Sequence, residues 1–220
     1  MESKKHVISI DNLPLENITF QGYIHKNPPN LTAVITHERA FAREVVEDLD
    51  RYLMENFTPY KGRTGQDIKL EDGQIQDTNN RDIRYIHPTF SENVMKLYRD
   101  LFLLGEETNR NHFDFDIDHV SDPLHHVIYP EDSGHLTWHT DIGGKTVNCR
   151  KLAMTVQLSD PEEYEGGKFQ IWAGGEEYNT LDLKKGDVCV FPAYLLHRVT
   201  PVTKGQRKVL VFWIGGRHFR

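Results

Sequence analysis

From Phe113 to Ile214 the chain is a series of short β-branched and aromatic runs divided by Gly, Pro and Asp clusters. The runs fall at about 124–129, 136–141, 152–159, 168–173, 178–183, 187–191, 195–200 and 207–214. Short strands with tight connections at this density predict a sandwich or a barrel. The last run constrains the fold most. Val209, Val211 and Trp213 alternate with Leu210, Phe212 and Ile214, so both faces are apolar and both need cover. One face can line a barrel interior, and two amphipathic segments upstream supply apolar surface for the other.

The first of those segments spans about 37–57, with Phe41, Val45, Leu49, Tyr52 and Leu53 on one helical face and Thr36 as N-cap. The second follows Ser91, where Val94, Leu97, Tyr98, Leu101 and Leu104 recur at three and four, and Gly105 stands as the C-cap. Residues 5–10 read as a short strand. Residues 59–88, rich in Gly, Asp, Asn, Arg and Gln, read as an irregular segment with a strand at 83–86. No internal repeat is found. The expected fold is mainly β with N-terminal helices, as one domain over 1–220: a helical support region, 1–107, and a β core, 108–220.

Composition narrows the function classes. Hydrophobic residues at 38% and charged residues at 27% are a soluble globular balance, and no apolar run is long enough to cross a bilayer. The N-terminus lacks the apolar stretch and cleavage site of a secretory signal, so a cytoplasmic location is expected. A formal net charge of -7 argues against a nonspecific grip on nucleic acid. Of two cysteines, Cys189 lies in an apolar run and reads as a buried thiol; neither it nor Cys149 is assigned a metal or a nucleophilic role.

The chemistry concentrates in Trp138-His139-Thr140-Asp141, where an imidazole and a carboxylate lie two apart on what reads as a strand and so face the same way. His197 on a later strand offers a third ligand. Two histidines and a carboxylate on one side of a metal leave the opposite positions open, which suits Fe(II) binding an oxoacid and O2 together. Arg207 follows at the start of the return strand, past a turn expected at 201–205, on the face shared with Trp213. An inward arginine in an apolar barrel is a costly isolated charge unless it meets an anion, and a dicarboxylate chelated to the iron would supply one. Tyr129, ten residues before His139, is placed to add a hydroxyl to the same carboxylate.

Tyr164-Glu165-Gly166-Gly167-Lys168-Phe169, Leu183-Lys184-Lys185-Gly186-Asp187 and above all the segment from His197 to Arg207, with Trp213 beyond, resemble the prolyl 4-hydroxylase-like 2-oxoglutarate oxygenases. Within these the likeness is strongest to the bacterial PKHD-type hydroxylases. The resemblance covers about 108–216 and implies a double-stranded β-helix of jelly-roll, cupin-like form. It implies iron ligation by His139, Asp141 and His197, 2-oxoglutarate held by Arg207, and ascorbate as a reductant for the iron. The implied reaction is hydroxylation of an unactivated C–H bond, with 2-oxoglutarate converted to succinate and CO2. Gln157 stands where several relatives place an aromatic residue.

Blander readings compete at each position. Without His197 and Arg207, the His139–Asp141 pair would be two polar residues at a strand end. His135 and His139 are four apart but lack the His-Glu-x-x-His pattern of a zinc helix. His125-His126 reads as one residue in and one out, Trp138 and Trp172 as core or pocket wall, and Arg84 and Arg150 as solvated charges rather than substrate contacts. For the substrate, a prolyl residue in a peptide or protein, and a small molecule such as a free amino acid, both stay open. A cupin-like module that binds a metal or ligand without turnover is the reading from another class.

Overall fold

The computed structural model describes residues 30–32, 34–61, 68–69, 75–76, 79–131 and 134–218; the strand expected at 5–10 lies outside them. Among the described residues there are two α-helices, α1 (Arg43–Asn56) and α2 (Glu92–Thr108). The strands are β1 (Ile35–His37), β2 (Tyr60–Lys61), β3 (Ile68–Lys69), β4 (Ile75–Gln76), β5 (Asn79–Asn80), β6 (Asp82–Ile86), β7 (His119–Val120), β8 (Leu124–Tyr129), β9 (Gly134–His139), β10 (Arg150–Gln157), β11 (Tyr164–Gly166), β12 (Phe169–Trp172), β13 (Asn179–Leu181), β14 (Val188–Pro192), β15 (Leu196–Gly205) and β16 (Arg207–Gly215). None of the described helices is long and apolar enough to cross a membrane.

Two antiparallel sheets form a jelly-roll sandwich. The major sheet has the order β1-β14-β10-β16-β8-β6-β2, with β7 beside β16; the minor sheet has the order β13-β12-β15-β9-β5, with β11 beside β15. Alternation along β16 sorts its side chains as expected. Val209 and Trp213 join Val127, Phe169, Ile171 and Val199 in the core between the sheets. Leu210, Phe212 and Ile214 pack outward, with Met154 and Leu152 of β10, against Val46 and Leu53 of α1 and Val94, Leu97 and Leu101 of α2.

Polar contacts fix the helices on this outer face. Ser91 caps α2 by accepting from the Val94 N–H (3.2 Å). The buried Tyr98 hydroxyl donates to the Ile86 carbonyl and accepts from the Leu124 N–H, each at 2.6 Å, so α2 is tied to β6 and β8. Burial pushes this phenol up to about 12. Asp50 of α1 meets His126 of β8 (3.0 Å) and Lys208 of β16 (2.7 Å). Burial alone would raise its carboxyl, but these two partners outweigh that and hold it below its ordinary value.

Several expectations need correction. The helix expected at 37–57 begins only at Arg43, and Thr36 is in β1, where Ile35, Thr36 and His37 pair with Val190, Cys189 and Val188. The open edge of β14 captures these residues, and the Asp187 carboxylate accepts from the Arg39 N–H (2.8 Å) in the turn that follows. Val45 is 51% exposed; Val46 takes the inward position. Gly105 does not cap α2, which continues to Thr108. A Cβ at Gly105 would lie 2.3 Å from Ile214 Cδ1 and 3.0 Å from Met154 Sδ, so the glycine permits close helix-to-sheet approach. The turn expected at 201–205 is strand: Val202, Lys204 and Gly205 pair with β11, and the chain reverses only at Gly205 (φ 69°) and Gln206. Trp172 is 41% exposed rather than core. The strand within 59–88 is present as β6.

The close approach at Gly105 makes a prediction. Gly105→Leu should destabilise the protein by about 1–3 kcal/mol through overpacking, although any side chain favours helix over glycine. Urea unfolding would show a lower midpoint, and an unchanged or higher one would mean the helix has room to move.

Candidate metal centre and co-substrate pocket

His139 ends β9 and His197 is the second residue of the facing strand β15, and the two residues are directly paired across the minor sheet. Their rings lie 4.1 Å apart between centroids. His139 Nδ1 meets the Thr137 carbonyl at 2.8 Å and His197 Nδ1 meets the Leu195 carbonyl at 2.9 Å. An N–H at Nδ1 leaves each Nε2 as the acceptor, the form a metal requires.

Asp141 lies just beyond β9 rather than in it, so strand alternation is not what aims its carboxylate. Its N–H donates to the Ala193 carbonyl (2.9 Å), and Arg150 Nη1 donates to its carbonyl (3.0 Å). Its two oxygens stand 3.6 Å from His139 Nε2 and 3.6 Å from His197 Nε2. Among the described residues these three form a group able to hold a metal, with ligand atoms within 4.8 Å of one another. Burial, and then the neighbouring His197, lower His139 to about 4, so it is neutral at ordinary pH. Burial would raise the Asp141 carboxyl, but His197, His139, the Trp213 indole N–H and Arg150 outweigh it and keep the group ionised. The indole N–H is near enough to act on this carboxylate without completing a hydrogen bond to it.

A cavity of about 380 Å³ opens between the sheets beside these ligands. Arg207 enters it from β16, paired with Tyr129 of β8. Arg207 is 2% exposed, yet its Nη2 is buried with no hydrogen-bond partner. Its guanidinium lies 5.6 Å from the Tyr129 ring and 5.7 Å from that of Phe169. A buried cation with an unused donor fits an anionic ligand. Burial raises the Tyr129 phenol above its ordinary value, against the pull of Arg81 and Arg207, so it stays a hydroxyl. Gln157, also buried, donates to the Ser159 carbonyl (3.0 Å) and to the Tyr164 hydroxyl (3.1 Å).

The three ligand residues, Arg207 and Tyr129 lie within residues 124–215, which match the family described as the 2OG-Fe(II) oxygenase superfamily. The match falls on the β core and covers less than half of the chain. That family's name gives Fe(II) and 2-oxoglutarate, and the chemistry of the His-Asp-His group suits such a metal as the buried guanidinium of Arg207 suits an anion. A PKHD-type hydroxylase of Synechococcus sp. is 43% identical over 77 residues, 35% of this chain and 35% of that protein. One from Acidovorax ebreus is 36% identical over 107 residues, 43% of this chain and 47% of the relative. The chain thus spans about a third to a half of the length of these oxygenase relatives. Among solved structures, a Pseudomonas putida prolyl-4-hydroxylase superposes with TM-score 0.64 at 15% identity, covering 84% of this chain and 92% of that one. A Trichoplax adhaerens prolyl hydroxylase in complex with a hypoxia-inducible-factor peptide gives 0.67 at 13%, covering 84% of each. These show that the oxygenase fold is shared.

The site also uses residues for which a bland role is expected from sequence. Arg150 is no solvated charge: besides Asp141 it binds Asp122 (2.8 Å) and stacks over Trp213 at 4.0 Å. Arg84 is buried on the opposite face of β6, donating to the Phe57 carbonyl (2.8 Å). His125 lines the cavity while His126 faces α1, one in and one out as expected. Arg81, lining the cavity, was not singled out; its place two residues before inward-facing Ile83 is the signal that would have found it.

Two outcomes are expected of this site. Arg150→Ala frees the Asp141 carbonyl and should weaken Fe(II) binding by about 10–100-fold, read by metal titration; unaltered affinity would mean that Asp141 is positioned without it. His125 is lowered to about 4, first by burial and then by Arg150, so between that value and its unfolded value of 6.5 only the unfolded chain binds the proton. Its share of stability is present in full above that window and falls as pH drops through it. Unfolding of the metal-free protein between pH 7 and pH 5 should include up to about 2 kcal/mol from this residue, absent in His125→Phe. Equal losses in both proteins would contradict it.

Proposed function

We propose that the protein is an Fe(II)- and 2-oxoglutarate-dependent dioxygenase that hydroxylates an unactivated C–H bond. The observation that carries this is the buried, half-unpartnered guanidinium of Arg207 in the same cavity as the His139, Asp141 and His197 ligand atoms. A module that only binds a metal has no use for such a dicarboxylate seat. In this reading His139, Asp141 and His197 hold the iron, Arg207 takes the far carboxylate of 2-oxoglutarate through paired N–H donors, and Tyr129 adds its hydroxyl. The ligated iron supplies the oxidising chemistry, with 2-oxoglutarate converted to succinate and CO2 and ascorbate as reductant. The chain holds the reactants in line and keeps water out with a wall that includes Val127, Val209, Phe169 and Phe191. α1 and α2 support the major sheet, in what we read as one domain.

The prolyl hydroxylases among the similar folds, one of them in complex with a peptide, support a prolyl residue in a peptide or protein as the target. The cavity size favours a second reading, since about 380 Å³ is in the range of small-ligand sites and would admit a free amino acid.

The test is anaerobic titration of the Fe(II)-loaded protein with 2-oxoglutarate, following the weak visible charge-transfer band of a chelated oxoacid. Arg207→Ala should raise the half-saturating concentration roughly a hundredfold, since charge-assisted hydrogen bonds contribute about 1.5–3 kcal/mol each. His139→Ala should abolish the band. A wild-type protein with no band at saturating ligand would leave the binding-module reading in front.

A further inference from the structure

Arg81 is 7% exposed, and its Nη1 is buried without a hydrogen-bond partner. It is the single residue between β5, which pairs with β9 of the minor sheet, and β6, which pairs with β8 of the major one. Its side chain therefore enters the cavity where the two sheets meet. Because Asp82 pairs with Ile128, Arg81 continues the row in which Tyr129 pairs with Arg207. Its charge acts on Tyr129 and also on His139 and His125, whereas that of Arg207 acts on Tyr129 and Cys189. The two guanidiniums reach the cavity from different elements, Arg81 from the junction of β5 and β6 and Arg207 from β16.

The charges of the cavity do not balance around Arg81. With iron and 2-oxoglutarate bound, the Asp141 carboxylate and the dicarboxylate match the iron and Arg207. Arg150 is already matched by Asp122. Asp141 is the only acid among the described residues lining the cavity, and Asp82, adjacent in sequence, is paired with Lys61 at 2.8 Å. Arg81 is left as a buried cation with an idle donor, strongly unfavourable unless an anion meets it. One bidentate guanidinium and one phenol suffice for the far carboxylate of the co-substrate, so the anion that Arg81 needs is a different one.

We propose that Arg81 binds a carboxylate of the molecule that is hydroxylated, so that the substrate is a carboxylic acid. The inference rests on the oxygenase reading above and makes Arg81 a specificity-determining residue. A planar guanidinium fork selects a planar carboxylate over a neutral amide. The acid is either a free amino acid or an acidic group within a peptide.

The test uses the full chain loaded anaerobically with Fe(II) and saturating 2-oxoglutarate. Free L-amino acids, and short N-acetylated peptides with acidic groups, are added in parallel with their amides, and binding is read by perturbation of the visible band and by tryptophan fluorescence. Acids should bind more tightly than their amides by about tenfold or more. Arg81→Gln should remove that preference, and Arg81→Lys should keep part of it. Half-saturation by 2-oxoglutarate should move less than about threefold in either variant. Binding by free acids or by acidic peptides alone identifies the source, and both outcomes support the assignment. Acids and amides binding alike, or neither binding, would overturn it. So would an Arg81→Gln protein that loses 2-oxoglutarate as Arg207→Ala does, which would move Arg81 into the co-substrate seat. A wild-type protein without the band is a separate failure, of the oxygenase reading itself.

Discussion

Both halves of the molecule depend on the register of β16. The strand is paired by β10 on one side and β8 on the other, and each of its faces is covered. The alternation that buries Leu210, Phe212 and Ile214 beneath the helices is the one that directs Arg207, Val209 and Trp213 into the cavity. A slip of one residue would exchange the two sets, placing a guanidinium in the helix-packed core and removing it from the pocket. Packing of α2 on the sheet and placement of the Arg207 guanidinium in the cavity are therefore enforced by one set of hydrogen bonds.

The electrostatics of the cavity follow from burial acting on unlike groups. Imidazoles removed from water lose their protons, so His125 and His139 are neutral when the pocket is at ordinary pH. Guanidiniums cannot respond in that way, and Arg81, Arg150 and Arg207 remain charged among apolar walls. Arg150 has Asp122 for a partner, and the other two face the space that ligands would fill. The cavity thus presents a positive potential despite the negative formal charge of the whole chain.

What could be read from the sequence was whatever one strand or one helix expresses by itself. The bounds of β8, the two apolar faces of β16 and the amphipathic stretch after Ser91 all have this character. So do the residue types at 139, 141, 197 and 207, although their convergence needed the β9–β15 register to appear. Partnerships between distant residues left no local trace. Thr36 looks like a helix cap because the free edge of β14 that captures it lies more than a hundred residues away. Gly105 looks like a helix end, and only the methyl of Ile214 pressing on it gives the real reason for a glycine. Residues 201–205 have the composition of a turn, but β11 is present to pair with them. Arg150 reads as a solvent charge until Asp122, Asp141 and Trp213 surround it. Arg81 sits in a polar stretch whose alternation with Ile83 and Tyr85 was too short to stand out.

The flanks of the two sheets carry a further meaning. The central strands β10 and β14 are almost wholly buried and carry the apolar runs 152–154 and 188–191, the sort of segment that recruits another chain when its backbone is exposed. Among the described residues neither is a flank. The major sheet finishes on β1 and β2, of three and two residues, and the minor on β13 and β5, of three and two. Segments so brief offer few idle backbone donors and acceptors, so the sandwich has little surface on which a fibril or a swapped strand could grow. The same short borders leave the cavity mouth as the place where a polar partner can approach the interior without prising a sheet apart.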